Sequence, residues 1–303
     1  MSSRRNNRRH IFLGATAGAL LACLFAGQQA AATPLYAQGF ETNNAGWNVF
    51  GGSLNASRVA SGTNGITAAS GSYYGLATGS GGITSSGGAS SAATNWGGYG
   101  FNPGCASSSC AATSFPAGGY TTSLDIYLNM NSGAANDTRF DFTSAISKPD
   151  GSFLRDFVFN AGFYNDTDST GNGPRFVIST GNNALRSNSY PKNPGHDPFT
   201  VTTTGWYTFQ QHFYDNAGIL AVDMNLLNSA GALLNSWTLS NPTDVIATTV
   251  GGNRYGWVAT NEFPYLAIDN AALDRTTVPA PGTLPLIALG LAGVGFARRK
   301  RPT

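Results

Sequence analysis

Eight segments of this chain alternate between apolar and polar residues or concentrate aromatic and β-branched ones, and no helix-period stretch of convincing length lies among them. The first reads YTTSLDIYLNM (Tyr120 to Met130). TRFDFTSAI, SFLRDFVFNAGFY, PRFVIST, GWYTFQQHFYD, GILAVDMNLLN, ALLNSWTLS and YLAIDNAALD follow. A period of two is the signature of a strand with one buried face. Between these segments stand Pro149-Asp150-Gly151, Asn216-Ala217-Gly218 and Ser229-Ala230-Gly231, residues that favour tight turns. Regularly spaced short strands with such turns predict an all-β fold, a single two-sheet sandwich. Aromatic residues make up 12% of the chain, too many for a disordered linker.

The two ends do not follow this pattern. Arg4, Arg5, Arg8 and Arg9 precede an apolar run from Ile11 to Gly27, and Ala30-Ala31-Ala32 follows. Basic region, apolar region and small-residue cleavage site are the layout of a secretory signal peptide, predicted over 1–32. Arg8-Arg9-His10-Ile11-Phe12 leaves both the general and the twin-arginine export routes open. At the far end, an apolar stretch from Leu284 to Ala297 precedes Arg298, Arg299, Lys300 and Arg301. As a helix it would span about 21 Å, short of a hydrocarbon core of about 30 Å. Cations after such a stretch stay cytoplasmic, leaving the body outside. Removing the eight terminal cations from the 17 basic residues leaves nine against 15 acids, so the body is mildly acidic. Nucleic acid is excluded as a partner, because phosphate neutralisation needs clustered Lys and Arg.

Val278-Pro279-Ala280-Pro281-Gly282, then a short apolar helix, then an Arg-rich end: this layout resembles the PEP-CTERM sorting signal. Ala280 stands where that signal has Glu. The resemblance covers about the last 25 residues. It implies export, processing by an exosortase, and association with exopolysaccharide and biofilm matrix. The expected organisation is therefore a signal peptide (1–32), a sandwich ectodomain (33–277) and a sorting or anchoring segment (278–303). The signal peptidase and the export machinery are the partners at the first of these. Within the ectodomain, 51–119 is rich in Gly, Ser and Ala. It is expected to be an irregular excursion with a strand near Tyr73-Tyr74-Gly75-Leu76.

QGFETNNAGW near the start and YLAIDNAALD near the end resemble concanavalin-A-like or galactose-binding-like jelly rolls. That resemblance implies a jelly-roll-like sandwich and a carbohydrate partner. It also implies a structural calcium held by an acid in the first strand and one in the last, here Glu41 and Asp269. Independently, Asp166, Asp168 and Thr170 precede Gly171 at the spacing of the first half of a calcium loop. Val177 occupies the place of the closing Glu, so a polar hairpin turn reads equally well.

Four aromatic residues lie in glycine-rich surroundings: Trp96 and Tyr99 in NWGGYGF, Tyr255 and Trp257 in GGNRYGWV. They are candidates for stacking on sugar rings, or for capping the core. Trp47, Trp206 and Trp237 sit in strand-like settings and are expected in the core. Cys105 and Cys110 flank four small residues and are expected to form a local disulfide after export. Catalytic signals are absent from the motifs. Apart from His10, only His196 and His212 occur, and no G-x-S-x-G is present. Glu occurs only at 41 and 262. A glycan hydrolase or lyase would need an Asp pair, such as Asp125 with Asp141 or Asp223. The sequence therefore predicts an exported, surface- or matrix-associated, non-catalytic sandwich that interacts with exopolysaccharide. A glycan-cleaving enzyme and a purely structural surface protein are the alternatives.

Overall fold

Each of the eight alternating segments is a strand in the computed structural model. The structure describes residues 34–44, 47–50, 55–78, 93–97, 112–165, 172–182, 197–259, 263 and 265–275. The segment expected to be a signal peptide (1–32), the tail from 278, Cys105 and Cys110 lie outside them. Among the described residues the strands are β1 (Tyr36–Gln38), β2 (Asn48–Phe50), β3 (Asn55–Ala60), β4 (Tyr73–Thr78), β5 (Ala93–Gly97), β6 (Tyr120–Leu128), β7 (Thr138–Ser147) and β8 (Phe153–Tyr164). They continue with β9 (Arg175–Asn182), β10 (Phe199–Val201), β11 (Gly205–Asn216), β12 (Ile219–Asn228), β13 (Leu233–Val245), β14 (Asn253–Ala259) and β15 (Leu266–Arg275). A single 3-10 turn, Thr63–Gly65, is the helical element among them.

The strands form two antiparallel sheets. The first runs β13-β12-β11-β6-β15-β4-β3, with β1 added alongside β15. The second runs β10-β9-β8-β7-β14-β5-β2. Turn chemistry sets the hairpins. At β11–β12, Ala217 and Gly218 both have positive φ, which a two-residue hairpin turn of right-handed twist requires. At β7–β8, the Ser152 N–H donates to Asp150 Oδ1 at 2.8 Å.

The core lies between the sheets and is dominated by phenylalanine. On β6, Tyr120, Thr122, Leu124, Ile126 and Leu128 point inward in strict alternation. On β11, Tyr207, Phe209, Gln211 and Phe213 do the same. Phe209 meets Phe140 and Phe159 of the second sheet edge-on, with centroids 5.9 and 5.2 Å away. Phe213 meets Phe157 in the same way at 5.3 Å. Such geometry puts the positive ring edge on the negative face. Trp47 and Trp237 belong to this core, as expected, whereas Trp206 does not.

Two polar ties also join the sheets. Gln211 accepts a hydrogen bond from Thr122 Oγ1 (2.7 Å) and donates to the Phe157 carbonyl of the opposite sheet (2.9 Å). Arg155 of β8 grips Asp244 of β13. Its Nη2 donates to Oδ1 at 2.7 Å, and its Nε lies 2.7 Å from Oδ2. Burial pushes the Asp244 carboxyl above its ordinary range and the Arg155 charge opposes the shift.

Within 51–119 the strand expected near Tyr73-Tyr74-Gly75-Leu76 is β4, and it has a partner strand that was not expected. Residues 55–78 form an ordered hairpin, β3 and β4, that extends the first sheet through β15. Small residues carry no period, but they permit close approach. A Cβ at Gly75 would stand 2.4 Å from Cζ of the fully buried Phe40, whose ring lies over that glycine.

Two stability losses are expected in urea unfolding. Gln211→Ala lowers stability by about 2–3 kcal/mol, because it orphans buried partners. Asp244→Ala lowers it by about 3–5 kcal/mol, because it leaves a buried guanidinium unpaired.

Candidate functional site

Glu41 and Asp269 do come to one place, and what they hold is a loop. The Glu41 carboxylate accepts the backbone N–H groups of Ser72 and Tyr73 at 3.1 Å. Between them and Asp269 sits Gly71, with φ +62°; a Cβ there would lie 2.3 Å from Glu41 Oε1. Asp269 Oδ2 accepts the N–H groups of Ala69 (3.1 Å) and Ser70 (3.3 Å), and its Oδ1 accepts that of Asn270 (2.8 Å). Arg58 closes the other side. It donates to the carbonyls of Phe40 and Glu41 at 2.7 and 2.6 Å, with its guanidinium over the Tyr73 ring. The bend after the first strand and the last strand thus clamp the β3–β4 connection.

This arrangement does not fit a calcium ion. Calcium takes six to eight oxygens, and here the carboxylate oxygens face N–H donors. No group of three or more His, Cys, Asp or Glu able to hold a metal occurs among the described residues. Asp166 and Asp168 lie outside the described residues.

Asp269 is fully buried and stands opposite Asp125 in the β15–β6 register. Burial pushes its carboxyl up to about 6. The three N–H groups pull it back, and the charge of Asp125 adds to the rise. The folded state therefore holds this proton more tightly than the unfolded chain.

The aromatic candidates occupy strands rather than glycine-rich loops. Tyr255 and Trp257 are in β14, a strand inside the second sheet, and Trp96 is in the neighbouring β5, opposite Gly256. Tyr-x-Trp was a period-two signal, masked by the glycine between. Tyr99 lies outside the described residues. Trp257 is in register with Thr143, and one row away Asp141, Asn160 and Ser179 stand opposite one another across β7, β8 and β9. These alternate with the core residues Phe140, Phe142, Phe159 and Ile178, so they face away from the core. All four are nevertheless buried. Among the described residues, Thr143 Oγ1, Asn160 Nδ2 and Ser179 Oγ have no hydrogen-bond partner.

The outer face of the first sheet is different, because it is partly exposed and its polar groups are ordered into ladders. Thr208 donates to Asp125 Oδ1, and Asn270 donates to Asp125 Oδ2 at 2.9 Å. Asn225 bridges Gln210 (3.1 Å) and Ser236 (2.7 Å). Thr238 donates to Asp223 Oδ1 at 2.6 Å, and the rings of His212 and Tyr214 stack beside it at 5.2 Å. Alternation supplied these residues: Thr208, Gln210, His212 and Tyr214 are the outward half of β11. Only strand register brings Gln210 to Asn225 or His212 to Asp223.

The Asp pairs named from sequence do not assemble a cleft. Asp125 and Asp141 belong to the outer faces of different sheets. Asp125 and Asp223 share a face, but two strand spacings and four residues separate them, about 17 Å. That exceeds the separation of about 5–10 Å that glycosidic carboxyl pairs use.

At the end of the chain, residues 277–301 match the PEP-CTERM protein-sorting motif. The chain carries a PEP-CTERM sorting tail. The tail marks an exported protein, as Pro279, Pro281 and the terminal cations implied. Among the described residues no helix is long and apolar enough to cross a membrane. The expected tail helix over 284–297 lies outside them. No curated protein matches this chain.

Solved structures with a similar fold include the CBM2 module of the evolved Dit of Lactobacillus casei BL23 phage J-1. It shares 11% identity, with 82% of this chain and 98% of that chain covered and a TM-score of 0.38. Another is winged bean acidic lectin, solved with methyl-α-D-galactose, at 13% identity, 78% and 96% coverage and a TM-score of 0.33. A third is an endo-1,3-β-glucanase from Streptomyces sioyaensis, at 12% identity, 80% and 96% coverage and a TM-score of 0.34.

The Asp269 carboxyl makes stability depend on pH. Because its folded pKa of about 6 lies above the ordinary 3.8, its contribution is fully present below 3.8 and is lost as pH rises through 6. In chelator, the melting temperature is expected to fall between pH 4 and 6, and Asp269→Asn to flatten that slope. A cation on Asp269 would reverse it.

Proposed function

We propose that this exported protein works at the cell surface or in the extracellular matrix as a non-catalytic module that holds exopolysaccharide. The observation that carries this reading is the pairing of a sorting tail with an open, polar sheet face. The outer face of the first sheet offers amide, hydroxyl and carboxylate groups in ladders, at the height of a flat sheet. A hydroxyl-rich polymer lying across it can exchange hydrogen bonds with Gln210, Asn225 and Ser236. The mildly acidic body favours a neutral glycan over a polyanion.

Binding to crude exopolysaccharide from the producing cells tests this. The full-length protein is expected to co-sediment with it saturably. The double variant Gln210→Ala/Asn225→Ala is expected to weaken binding at least about tenfold, as lost hydrogen bonds to a ligand do. Loss on Trp96→Ala or Trp257→Ala alone would move the contact to the second sheet. New reducing ends would make the protein an enzyme, and no binding would leave a structural role.

The tail is proposed to be an address that an exosortase-type enzyme removes. The intact mass of protein recovered from the cell surface is expected to correspond to a chain ending near Pro281. A mass that retains Arg298 to Thr303 would instead mean a protein tethered for life.

A further inference from the structure

β13 ends the first sheet. It pairs with β12 on one side and, among the described residues, with no strand on the other. An unpaired edge presents a row of N–H and C=O groups to any strand that approaches, and proteins blunt such edges with short strands, charges, bulges or proline. The other sheet ends follow that rule. β10 and β2 are three residues long, and β3 carries Arg58. β13 is thirteen residues long and carries no charge from Leu233 to Thr243.

The irregular parts of β13 lie towards its two ends. Leu234 is bulged out of the register with β12, and Pro242 falls in a second irregular stretch. Between them 235–240 runs in unbroken register with β12. In that window Ser236, Thr238 and Ser240 are exposed on the outer face. Trp237 is buried in the core, and the half-buried Leu239 packs against it.

This order is its own complement. About a two-fold axis through Thr238, two antiparallel copies of the strand set Thr238 opposite Thr238, Ser236 opposite Ser240, and Trp237 opposite Leu239. Each outer pair joins hydroxyl to hydroxyl, and each inner pair joins an aromatic ring to an aliphatic chain. Hydroxyl pairs and aromatic–apolar pairs stabilise antiparallel strands, and no like charges meet to oppose them. An axis through Trp237 instead sets Trp237 against itself and Asn235 against Leu239, which loses the apolar match.

We propose that β13 is a self-recognition edge: it pairs antiparallel with the β13 of a second copy of this chain, about an axis through Thr238, and joins two first sheets into one. Such an interface is isologous and closes at two copies. The axis stands normal to the sheet, so both outer faces point the same way and the two sets of ladders share one surface. Pairing over about six residues is small beside a standard interface, so the dimer forms reversibly as concentration rises. The proposal stands independently of the glycan reading.

Cysteine trapping on the full-length protein tests it. Directly opposed side chains in an antiparallel pair have Cβ atoms about 4.5–5.5 Å apart, near the reach of a disulfide. Under mild oxidation, Thr238→Cys is expected to give a covalent dimer whose linked peptide joins position 238 to position 238. Wild type, which controls for Cys23, Cys105 and Cys110, and Ser229→Cys, in the exposed turn before β13, are expected to stay monomeric. Adding Ser236→Lys/Ser240→Lys to Thr238→Cys opposes like charges in both outer pairs. It is expected to cut the dimer yield at least about tenfold with the melting temperature kept. Ser236→Lys/Ser240→Glu, which meets its mate as two ion pairs, is expected to restore the yield. No 238–238 link, equal linking through Ser229→Cys, or a Lys/Lys variant that links as well as its parent would each overturn the proposal. A Lys/Glu variant that behaves like the Lys/Lys one would overturn the register, and the proposal with it.

Discussion

Everything in this protein hangs from the edge-to-face contacts between β11 and the pair β7 and β8. Phe209 and Phe213 project from one sheet into the ring edges and faces of Phe140, Phe157 and Phe159 from the other. Bulky rings fill the space between sheets with few side chains, so alternation on the remaining positions is free to be polar. Gln211 sits between the two phenylalanines of β11 and carries a hydrogen bond across the same gap. Aromatic packing sets the spacing of the sheets, and the amide fixes their register, because an apolar surface alone would tolerate sliding.

The consequence is two outer faces of opposite character. On the second sheet, polar residues that should face water are buried, and Thr143, Asn160 and Ser179 each leave an atom without a hydrogen-bond partner among the described residues. Each such atom costs about 1–3 kcal/mol, a burden retained only where the surrounding structure is otherwise well determined. On the first sheet, the polar groups satisfy one another in ladders and still meet solvent. Its far end is covered by the β3–β4 connection, which two carboxylates fasten by its peptide N–H groups.

Much of this was legible in the chain. The long strands announced themselves, because a half-buried strand writes its burial as alternation and β6 or β11 does so without interruption. The sandwich followed from strand count and turns. Strands of three residues, such as β1, β2 and β10, are too short to show a period. β14 was obscured by glycine, which is punctuation elsewhere and here lies between two aromatic residues. Glu41 and Asp269 were legible as partners in space, but not in role, since the peptide groups they bind belong to a loop with no motif. The polar ladders were invisible for a simpler reason. Gln210 and Asn225 lie on different strands, and only the register of β11 with β12 sets them face to face.

The place of β15 in the first sheet has a mechanical consequence. The strand ends at Arg275, two residues before the sorting motif starts. It is hydrogen-bonded to β6 along one side and to β4 and β1 along the other. A pull on the tail therefore meets a strand held on both sides, not an edge strand that could peel away.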